Sequence, residues 1–461
     1  MLYWVLLLLL FVLFCISFCA EDYELFAPAP LCLIGFCVAT VLALIGRSSW
    51  NDVDLGVEVF SIVVCGCIFF ALGGLLATRT VSNRATGTRP VFKRFTSLGF
   101  QLNRIPYWRY GVVAAILVGA IVLRVYETYQ LAEEYGISYS GWGDLLSAVH
   151  RETVSYLGNK NVAFDEGFSI VVRQLEKFSS AAGFVAAYLL ASSLSTGLNT
   201  RDSRRGTLFA LVLLFLSGAF ELVKGTRMNI LYYGVACVAV LGFIKLGASK
   251  NKLKTSAIIA ALCGALALLA SVAFFFSGDL IGRSTDSSIL DYISFYYGCA
   301  MPSLQSLIDS GISTAGALGS HVFFNVYSFL SKFGIGDVGS SSIAWIPFDS
   351  YRSNVFTCFA YYFIDFGYIG VAVLSAAFGF ILTFAYRQAR KTANPCLVVL
   401  VGYISANTFD MARRNAFHIG ALFSPNMILT LLIIVAVALF LTVNYRGGKT
   451  KTDGLQCPSE K

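Results

Sequence analysis

Long apolar blocks separated by short polar segments make up most of the chain. Typical blocks hold roughly 20 residues, the length that a helix needs to cross ~30 Å of hydrocarbon. Residues 367–386 (GYIGVAVLSAAFGFILTFAY) and 255–277 are clear examples. Backbone groups in lipid must form their hydrogen bonds within the protein, and the strands of a membrane barrel would be shorter and alternating. The pattern therefore predicts a bundle of helices.

About eleven spans are expected from this pattern, which gives an all-α, polytopic transmembrane bundle. Their approximate bounds are 2–19, 29–46, 56–77, 107–126, 180–198, 207–223, 228–246, 255–277, 367–386, 394–410 and 423–443. The segments 127–179 and 278–366, after the fourth and eighth spans, are too long to be turns. Apolar pieces of the second are too short to span and are predicted to be interfacial or re-entrant helices; they are 292–307, 321–330 and 355–364. We expect residues 1–461 to form a single transmembrane domain.

Lysine and arginine predict the orientation, because they are retained on the cytoplasmic side. The basic segments are 78–109, 201–205, 245–254, 387–391 and the tail 447–461. Placing all of them in the cytoplasm puts the N-terminus outside, the C-terminus inside and both long loops outside. Function is therefore expected to face outward, where the long loops can build a site.

The acidic residues Glu21, Asp22 and Glu24 do not fit this orientation well. They fall on the cytoplasmic side, where we expect them to gain nothing. The alternative is that residues 1–20 are a cleaved signal peptide. That segment lacks a basic n-region, and its removal would turn the most basic loop outward, so we favour a first span.

Composition agrees with the membrane prediction and narrows the chemistry. The chain is 57% hydrophobic and 13% charged, with a mean hydropathy of +0.72, and a water-soluble protein could not bury that much apolar surface in its core. It has 12 cysteines, mostly inside apolar blocks and without CxxC spacing, and only 3 histidines. We therefore expect no metal site and no other cofactor. Walker A, GxSxG and HExxH motifs are absent, so an ATP-driven pump, a serine hydrolase and a zinc protease are unsupported.

Two short motifs carry little weight. Residues 334–339 match GxGxxG, but no strand precedes them, so they fail the context test for dinucleotide binding. Asp52 and Asp54 form a DxD that can hold a metal–phosphate group. Acidic matches of this length are common by chance.

Several arginines are predicted near membrane ends on the outer side, against the positive-inside tendency. They are Arg227, Arg283, Arg352, Arg413 and Arg414. The guanidinium group is a planar fork of donors that suits a phosphate, so a cluster of them would grip a diphosphate at the outer headgroup level. Snorkelling side chains or binding of anionic lipid headgroups is the alternative interpretation. Because separate outer loops supply them, we favour the substrate site.

Three residues are candidates for a general base or for orienting a substrate. Asp410 shares the spacing i, i+3, i+7 with Asn407 and Arg414, so it is expected on their helix face, either paired with arginine or positioning a hydroxyl. Asp365 lies at the outer mouth of the ninth span, where a helix cap or an ion pair is the alternative role. His321 lies in the second long loop and is either a base or an ordinary interfacial histidine.

Three sequence patches resemble a known family. Residues 224–229 (KGTRMN) match a G-[TS]-R that opens a span. The segment from Asn354 to Gly370 matches an N-x-x-T…D-x-G-x-x-G pattern at the start of a late span, and residues 411–414 look like the arginine-bearing loop before the last span. These patterns are similar to those of the Wzy-type O-antigen and oligosaccharide repeat-unit polymerases, including the enterobacterial common antigen polymerase.

The resemblance implies a metal-independent glycosyltransferase at the outer face of the cell inner membrane. It would join oligosaccharide repeat units carried on undecaprenyl diphosphate, with a chain-length regulator as a possible partner, membrane lipids around it and no nucleic acid. Arg227 and Arg413 would bind the diphosphate first, supported by the other outer arginines. Asn354 and Tyr361 would bind glycan. The identity of the base among His321, Asp365 and Asp410 stays open.

Two other functions remain as alternatives. An O-antigen ligase or another lipid-linked-sugar transferase would use the same class of donor, and the DxD would then matter. A lipid-linked oligosaccharide flippase would be no enzyme at all. Flippases usually have repeated halves and a charged central cavity, whereas we find no internal repeat and mid-span regions nearly free of charge.

Overall fold

The computed structural model describes most of the chain as helix. The described residues are 1–50, 54–82, 105–149, 167–196, 201–249, 251–280, 288–311, 319–331, 333–334, 346–348, 351–414 and 425–442. Their helices are α1 (Leu2–Ala20), α2 (Pro28–Gly46), α3 (Val57–Ser82), α4 (Tyr107–Glu134), α5 (Ile170–Thr196), α6 (Arg201–Val223), α7 (Met228–Ala248), α8 (Lys252–Leu280), α9 (Ile289–Gly298), α10 (Ala300–Asp309), α11 (Phe324–Ser331), α12 (Cys358–Thr392), α13 (Pro395–Phe409) and α14 (Pro425–Thr442). The strands β1 (Ile346–Phe348) and β2 (Tyr351–Ser353) form one antiparallel pair.

In the part of the chain that the structure describes, 9 helices are long and apolar enough to cross a membrane: α1 to α7, α12 and α13. The predicted spans 255–277 and 423–443 are also helical and correspond to α8 and α14. By length and composition, the chain is a multi-pass membrane protein built as an all-α bundle.

The first long loop is shorter than predicted. Helix α4 continues to Glu134 and α5 begins at Ile170, so helix occupies both ends of 127–179. The extra turns carry polar contacts: the Ser169 amide donates to Glu127 of α4 at 2.9 Å, and Glu176 of α5 pairs with Arg124 of α4. A hydropathy pattern ends a helix where polar residues begin and does not register such pairs.

The second long loop contains the expected short helices. The predicted piece 292–307 is divided into α9 and α10, and α11 lies within 321–330 and its flank. Helix α12 starts at Cys358, earlier than the predicted 367, because the short piece before Gly367 joins the spanning helix. Gly367 has φ 62° and ψ −156°, a conformation essentially confined to glycine, and it breaks α12 at the predicted start of the span.

Helices α3 and α12 pack with their backbones in contact. A Cβ atom on Gly73 would come within 2.0 Å of the Ala376 carbonyl oxygen, and one on Gly379 within 2.0 Å of the Phe70 carbonyl oxygen. Buried apolar residues of α3 and α12 form one core cluster, and those of α5, α7 and α13 form another. These two clusters hold the helices whose ends carry the polar sites.

One end of the bundle carries a buried ionic cluster, which we call the ionic end network: Glu21, Glu24, Lys252, Arg387 and Arg390. Glu24 contacts Lys252 Nζ at 3.3 Å and Arg390 Nη2 at 3.0 Å, and Glu21 contacts Arg387. Both carboxylates are buried. For Glu21 and Glu24 the expectation that they gain nothing is therefore wrong, because the basic residues predicted on the same side pair with them.

Candidate functional site

At the opposite end of the bundle, a tight turn joins α6 to α7. The amide of Gly225 donates to the Leu222 carbonyl and that of Thr226 to the Glu221 carbonyl, both at 2.9 Å. This is the Schellman pattern, and it requires a left-handed residue at its centre, which Gly225 supplies with φ 79°. The KGTR patch is thus a helix stop that places Arg227 directly before α7.

Arg227 faces the short helix α9. Its guanidinium donates a hydrogen bond to the Tyr292 hydroxyl and lies 5.6 Å from the centre of that ring. Arg227 is 5% exposed. Two contacts with one tyrosine therefore fix the guanidinium at the end of the bundle.

Arg413 follows α13 and forms a two-pronged ion pair with Asp410. Its Nε donates to Asp410 Oδ1 and its Nη2 to Oδ2, both at 2.9 Å. The Tyr232 hydroxyl donates to Asp410 Oδ2 and accepts from Arg413 at 3.1 Å and from Arg414 at 3.4 Å. Arg413 and Asp410 are buried, whereas Arg414 is exposed.

Helix α9 brings the two arginines together. The Arg413 guanidinium lies 5.1 Å from the ring centre of Tyr296, which stands one turn after Tyr292, with the two rings stacked at 6.0 Å. We call this group the arginine–tyrosine cluster; it consists of Arg227, Arg413, Arg414, Tyr232, Tyr292, Tyr296 and Asp410. Cation–π contacts and hydrogen bonds hold its guanidinium groups in fixed positions.

The position of α9 is itself well defined. A Cβ on Gly298 would come within 2.6 Å of the Ala43 amide nitrogen, so α9 packs closely on α2. Burial and the charge of Asp410 raise the pKa of Tyr297 well above its ordinary value, and its hydroxyl donates to the Phe409 carbonyl at 3.0 Å. Trp50 meets Phe295 edge-on at 5.7 Å. These contacts anchor the helix that carries both cluster tyrosines.

His321 and Asp365, predicted as competitors, form a pair. His321 Nδ1 lies 2.8 Å from Asp365 Oδ1, and the amides of His321 and Val322 donate to Oδ2 at 3.0 and 2.6 Å. The carboxylate is 2% exposed and the imidazole 20%. Asp365 thus caps the turn before α11 and orients the imidazole ring, which leaves Nε2 for another partner.

Tyr361, which was predicted to bind glycan, lies one helical turn from Asp365 of the histidine pair. Tyr361 lies four residues before Asp365 in the first part of α12, so the two share a face. Arg414 interacts electrostatically with Tyr361 and also with Tyr403. Tyr361, the predicted glycan residue, therefore shares a helix face with Asp365 and feels the charge of Arg414.

The described part of the chain gives no contact between the other predicted residues and the site. Arg283 lies outside the described residues, as does Asp52, while the backbone of Arg352 lies in β2 opposite Pro347. Asn354 is exposed just after β2. Of the face predicted for Asn407, Asp410 and Arg414, the last two both contact the Tyr232 hydroxyl, while Asn407 donates to the Tyr403 carbonyl at 2.8 Å.

The remaining motif residue, Asp54, is 71% exposed and pairs with Arg47 at 3.2 Å. Within the described ranges, no group of three or more histidine, cysteine, aspartate or glutamate residues could hold a metal ion.

Sequence reasoning missed the three tyrosines of the cluster. Tyr292 and Tyr296 carried a weak signal, since they are spaced by four residues in a predicted outer helix. Tyr232 carried none, because a tyrosine in an apolar span is ordinary. The partner of each arginine is decided by how distant helices pack.

Comparison of the chain with protein-family models, with curated proteins and with solved structures gives no match. The site is therefore interpreted from its own geometry.

Proposed function

We propose that the chain is a glycosyltransferase that polymerises oligosaccharide repeat units carried on undecaprenyl diphosphate, at the outer face of the cell inner membrane. The observation that carries the proposal is the arginine–tyrosine cluster. Arg227 and Arg413 come from distant parts of the sequence and both contact tyrosines of one short helix, and the chain also pairs His321 with Asp365.

The diphosphate is the leaving group in this reaction, and it gathers negative charge as its bond to the sugar breaks. Guanidinium groups that are already fixed can stabilise that charge without reorganising and without a metal. Arg227 and Arg413 are held by Tyr292, Tyr296 and Asp410. The positive end of the α7 dipole lies beside Arg227 and adds to the same field.

The acceptor hydroxyl must lose a proton, and His321 is the best placed base. In the proposed step the acceptor oxygen bonds to C1 of the donor sugar while its proton passes to His321 Nε2. The bond from C1 to the diphosphate oxygen breaks, and the electron pair leaves with undecaprenyl diphosphate. Asp365 holds the imidazole in the required tautomer. Both oxygens of Asp410 are engaged by Arg413 and Tyr232, which argues against Asp410 as the base.

Two features weigh on the alternative functions. Asp54 of the DxD is paired with Arg47, so the motif gives no support to a metal-dependent ligase. The ionic end network ties the α1–α2 turn to α8 and α12 at the opposite end, which favours a fixed scaffold over a flippase with alternating access.

Loss of the cluster arginines tests the proposal. A strain lacking the gene should make glycan that stops at lipid carrying one repeat unit, and the wild-type gene should restore long chains. Arg227→Ala and Arg413→Ala should fail to restore them at normal protein levels, since one such stabiliser contributes ~10²–10³ in rate. Unchanged chain length with both variants would exclude the proposal.

Arg109→Ala is the matched control. Arg109 is also buried, and it also combines a hydrogen bond, to the Phe440 carbonyl at 2.8 Å, with cation–π contacts. It lies at the start of α4, at the opposite end of the bundle from the cluster, so this variant should restore long chains. Purified protein that moves labelled lipid without lengthening glycan would support the flippase instead.

A further inference from the structure

We propose that Glu176 and Glu221 are positioning residues for Arg227. Each buried carboxylate holds one side of the turn at residues 224–226, and together they set the direction in which Arg227 leaves it. The inference rests on the proposed function, in which the Arg227 guanidinium stabilises the leaving diphosphate and must therefore be placed accurately.

Glu176 holds the first residue of the turn. Its Oε2 lies 2.9 Å from Lys224 Nζ, and its Oε1 accepts from Arg124 Nη1 at 2.6 Å. Arg124 is 2% exposed and its guanidinium lies 3.4 Å from the ring centre of Phe168. Lys224 is thereby tied to α4 and α5, two helices that contribute no residue to the arginine–tyrosine cluster.

Glu221 holds the last residue of the turn. Its Oε2 accepts from the Thr226 hydroxyl at 2.6 Å, and its Oε1 from the Tyr233 hydroxyl at 3.2 Å. Glu221 is 1% exposed in the last turn of α6, where the helix dipole disfavours an anion. A carboxylate at this position destabilises the helix unless other contacts compensate. Glu221 contacts Thr226, the residue before Arg227, and Tyr233, the residue after Tyr232, so it holds both neighbours of cluster residues in place.

The middle of the turn has no side chain. Gly225 is left-handed and nothing lies within 4 Å of a Cβ built on it, so backbone hydrogen bonds rather than side-chain packing hold this residue. The side-chain contacts at Lys224 and Thr226 tie the turn to the neighbouring helices. A misplacement of ~1 Å in a group that acts on the transition state can cost ~10²-fold in rate, so loss of either carboxylate should displace Arg227 enough to be measured.

The test is a double-mutant cycle on the full-length protein in lipid nanodiscs. Glu176→Gln and Glu221→Gln should each slow polymerisation by ~10–100-fold in the wild-type background. In the Arg227→Ala background the same substitutions should change the rate less than ~2-fold, because their effect passes through Arg227. Equal losses in both backgrounds would overturn the inference.

Two comparisons separate positioning from general damage. Glu24→Gln removes another buried, ion-paired carboxylate at the opposite end of the bundle, so any loss it causes should be equal in both backgrounds. Thr226→Ser keeps the hydroxyl and should retain the wild-type rate, whereas Thr226→Val should resemble Glu221→Gln. Failure of serine to rescue would contradict the role of the Glu221–Thr226 contact.

Binding of undecaprenyl diphosphate to the same variants distinguishes this inference from the proposed function. If the wild type binds the lipid but does not polymerise, the function fails, and the inference stands when the carboxylate variants weaken binding only where Arg227 is present. If the wild type polymerises and the effects are additive, the inference alone fails. Absence of both binding and polymerisation overturns both.

Discussion

At the scale of single residues, the Tyr232 hydroxyl uses all of its hydrogen-bonding capacity within the candidate site. A phenol can donate one hydrogen bond and accept two. Tyr232 donates to Asp410 and accepts from Arg413 and Arg414, so its capacity is filled. The three charged groups are therefore arranged around one neutral hydroxyl, which keeps the two guanidinium groups apart while both remain near Asp410.

The histidine pair leads to a prediction that separates base from orienting group. His321→Ala should lower the polymerisation rate by ~10²–10⁴-fold, because a positioned general base contributes that much. Added imidazole should restore part of this rate, since the cavity left by the ring lies beside an intact Asp365. Asp365→Asn should not respond to imidazole, because the carboxylate also caps the amides of His321 and Val322. Equal responses of the two variants would contradict these roles.

Residue identities in the site were partly predictable from sequence, and their partners were not. Arg227 and Arg413 stood out because arginine on the outer side opposes the positive-inside tendency, and Asp410 stood out by its spacing from Asn407 and Arg414. A cap or an ion pair was the alternative given for Asp365, but the sequence did not identify His321 as its partner, since the two residues were treated as rivals for one role. The contact of Tyr292 with Arg227 depends on how α9 packs in the bundle, and no local sequence pattern encodes it.

At the scale of elements, helix ends decide where the charged groups point. Gly225 ends α6 in a left-handed turn, and Gly367 separates the short piece that carries Tyr361 and Asp365 from the spanning part of α12. Hydropathy located the spans to within a few residues for α7 and α13. It missed the polar extensions of α4 and α5, because they are held by contacts between distant side chains, such as Glu127 with Ser169 and Glu176 with Arg124.

Gly225 and Gly234 form a matched pair for testing the turn. Nothing lies within 4 Å of a Cβ at either position, so alanine meets no steric clash. Gly225→Ala should destabilise the protein by ~1 kcal/mol, because its φ is positive, and should also lower polymerisation by displacing Arg227. Gly234→Ala lies within α7 and should be neutral or slightly stabilising. Thermal unfolding and initial rates measure both effects, and equal activity of the two variants would argue against the role of the turn.

At the scale of the whole molecule, the two ends of the bundle use charge differently. The arginine–tyrosine cluster leaves Arg414 exposed, whereas the ionic end network buries its carboxylates against basic residues from α8 and α12. Burial alone would raise the pKa of Glu24, but Arg390, Arg387 and Lys252 lower it to about 2. Burial outweighs Arg387 at Glu21 and raises its pKa.

These opposite shifts predict different effects on stability. Glu24 has a lowered pKa in the folded state, so its stabilising contribution is present above its ordinary pKa of 4.5 and is lost as pH falls towards 2. Glu24→Gln should therefore cost ~3 kcal/mol at pH 7, and its difference from wild type should narrow below about pH 5. Glu21→Gln removes a carboxylate whose charge is disfavoured, and it should change stability by less than ~1 kcal/mol at pH 7. Thermal unfolding in detergent across this range measures both, and a larger loss for Glu21→Gln would contradict the assignment.

The edge-on contact of Trp50 with Phe295 gives α9 an optical reporter. Trp50 is 1% exposed, so its indole should emit at the short wavelengths typical of a dry environment. Replacing Trp4, Trp108, Trp142 and Trp345 with phenylalanine would leave this single fluorophore next to the helix that carries Tyr292 and Tyr296. A ligand that moves α9 away from α2 should then shift the emission of Trp50 to longer wavelengths, and no added dye is needed to detect it.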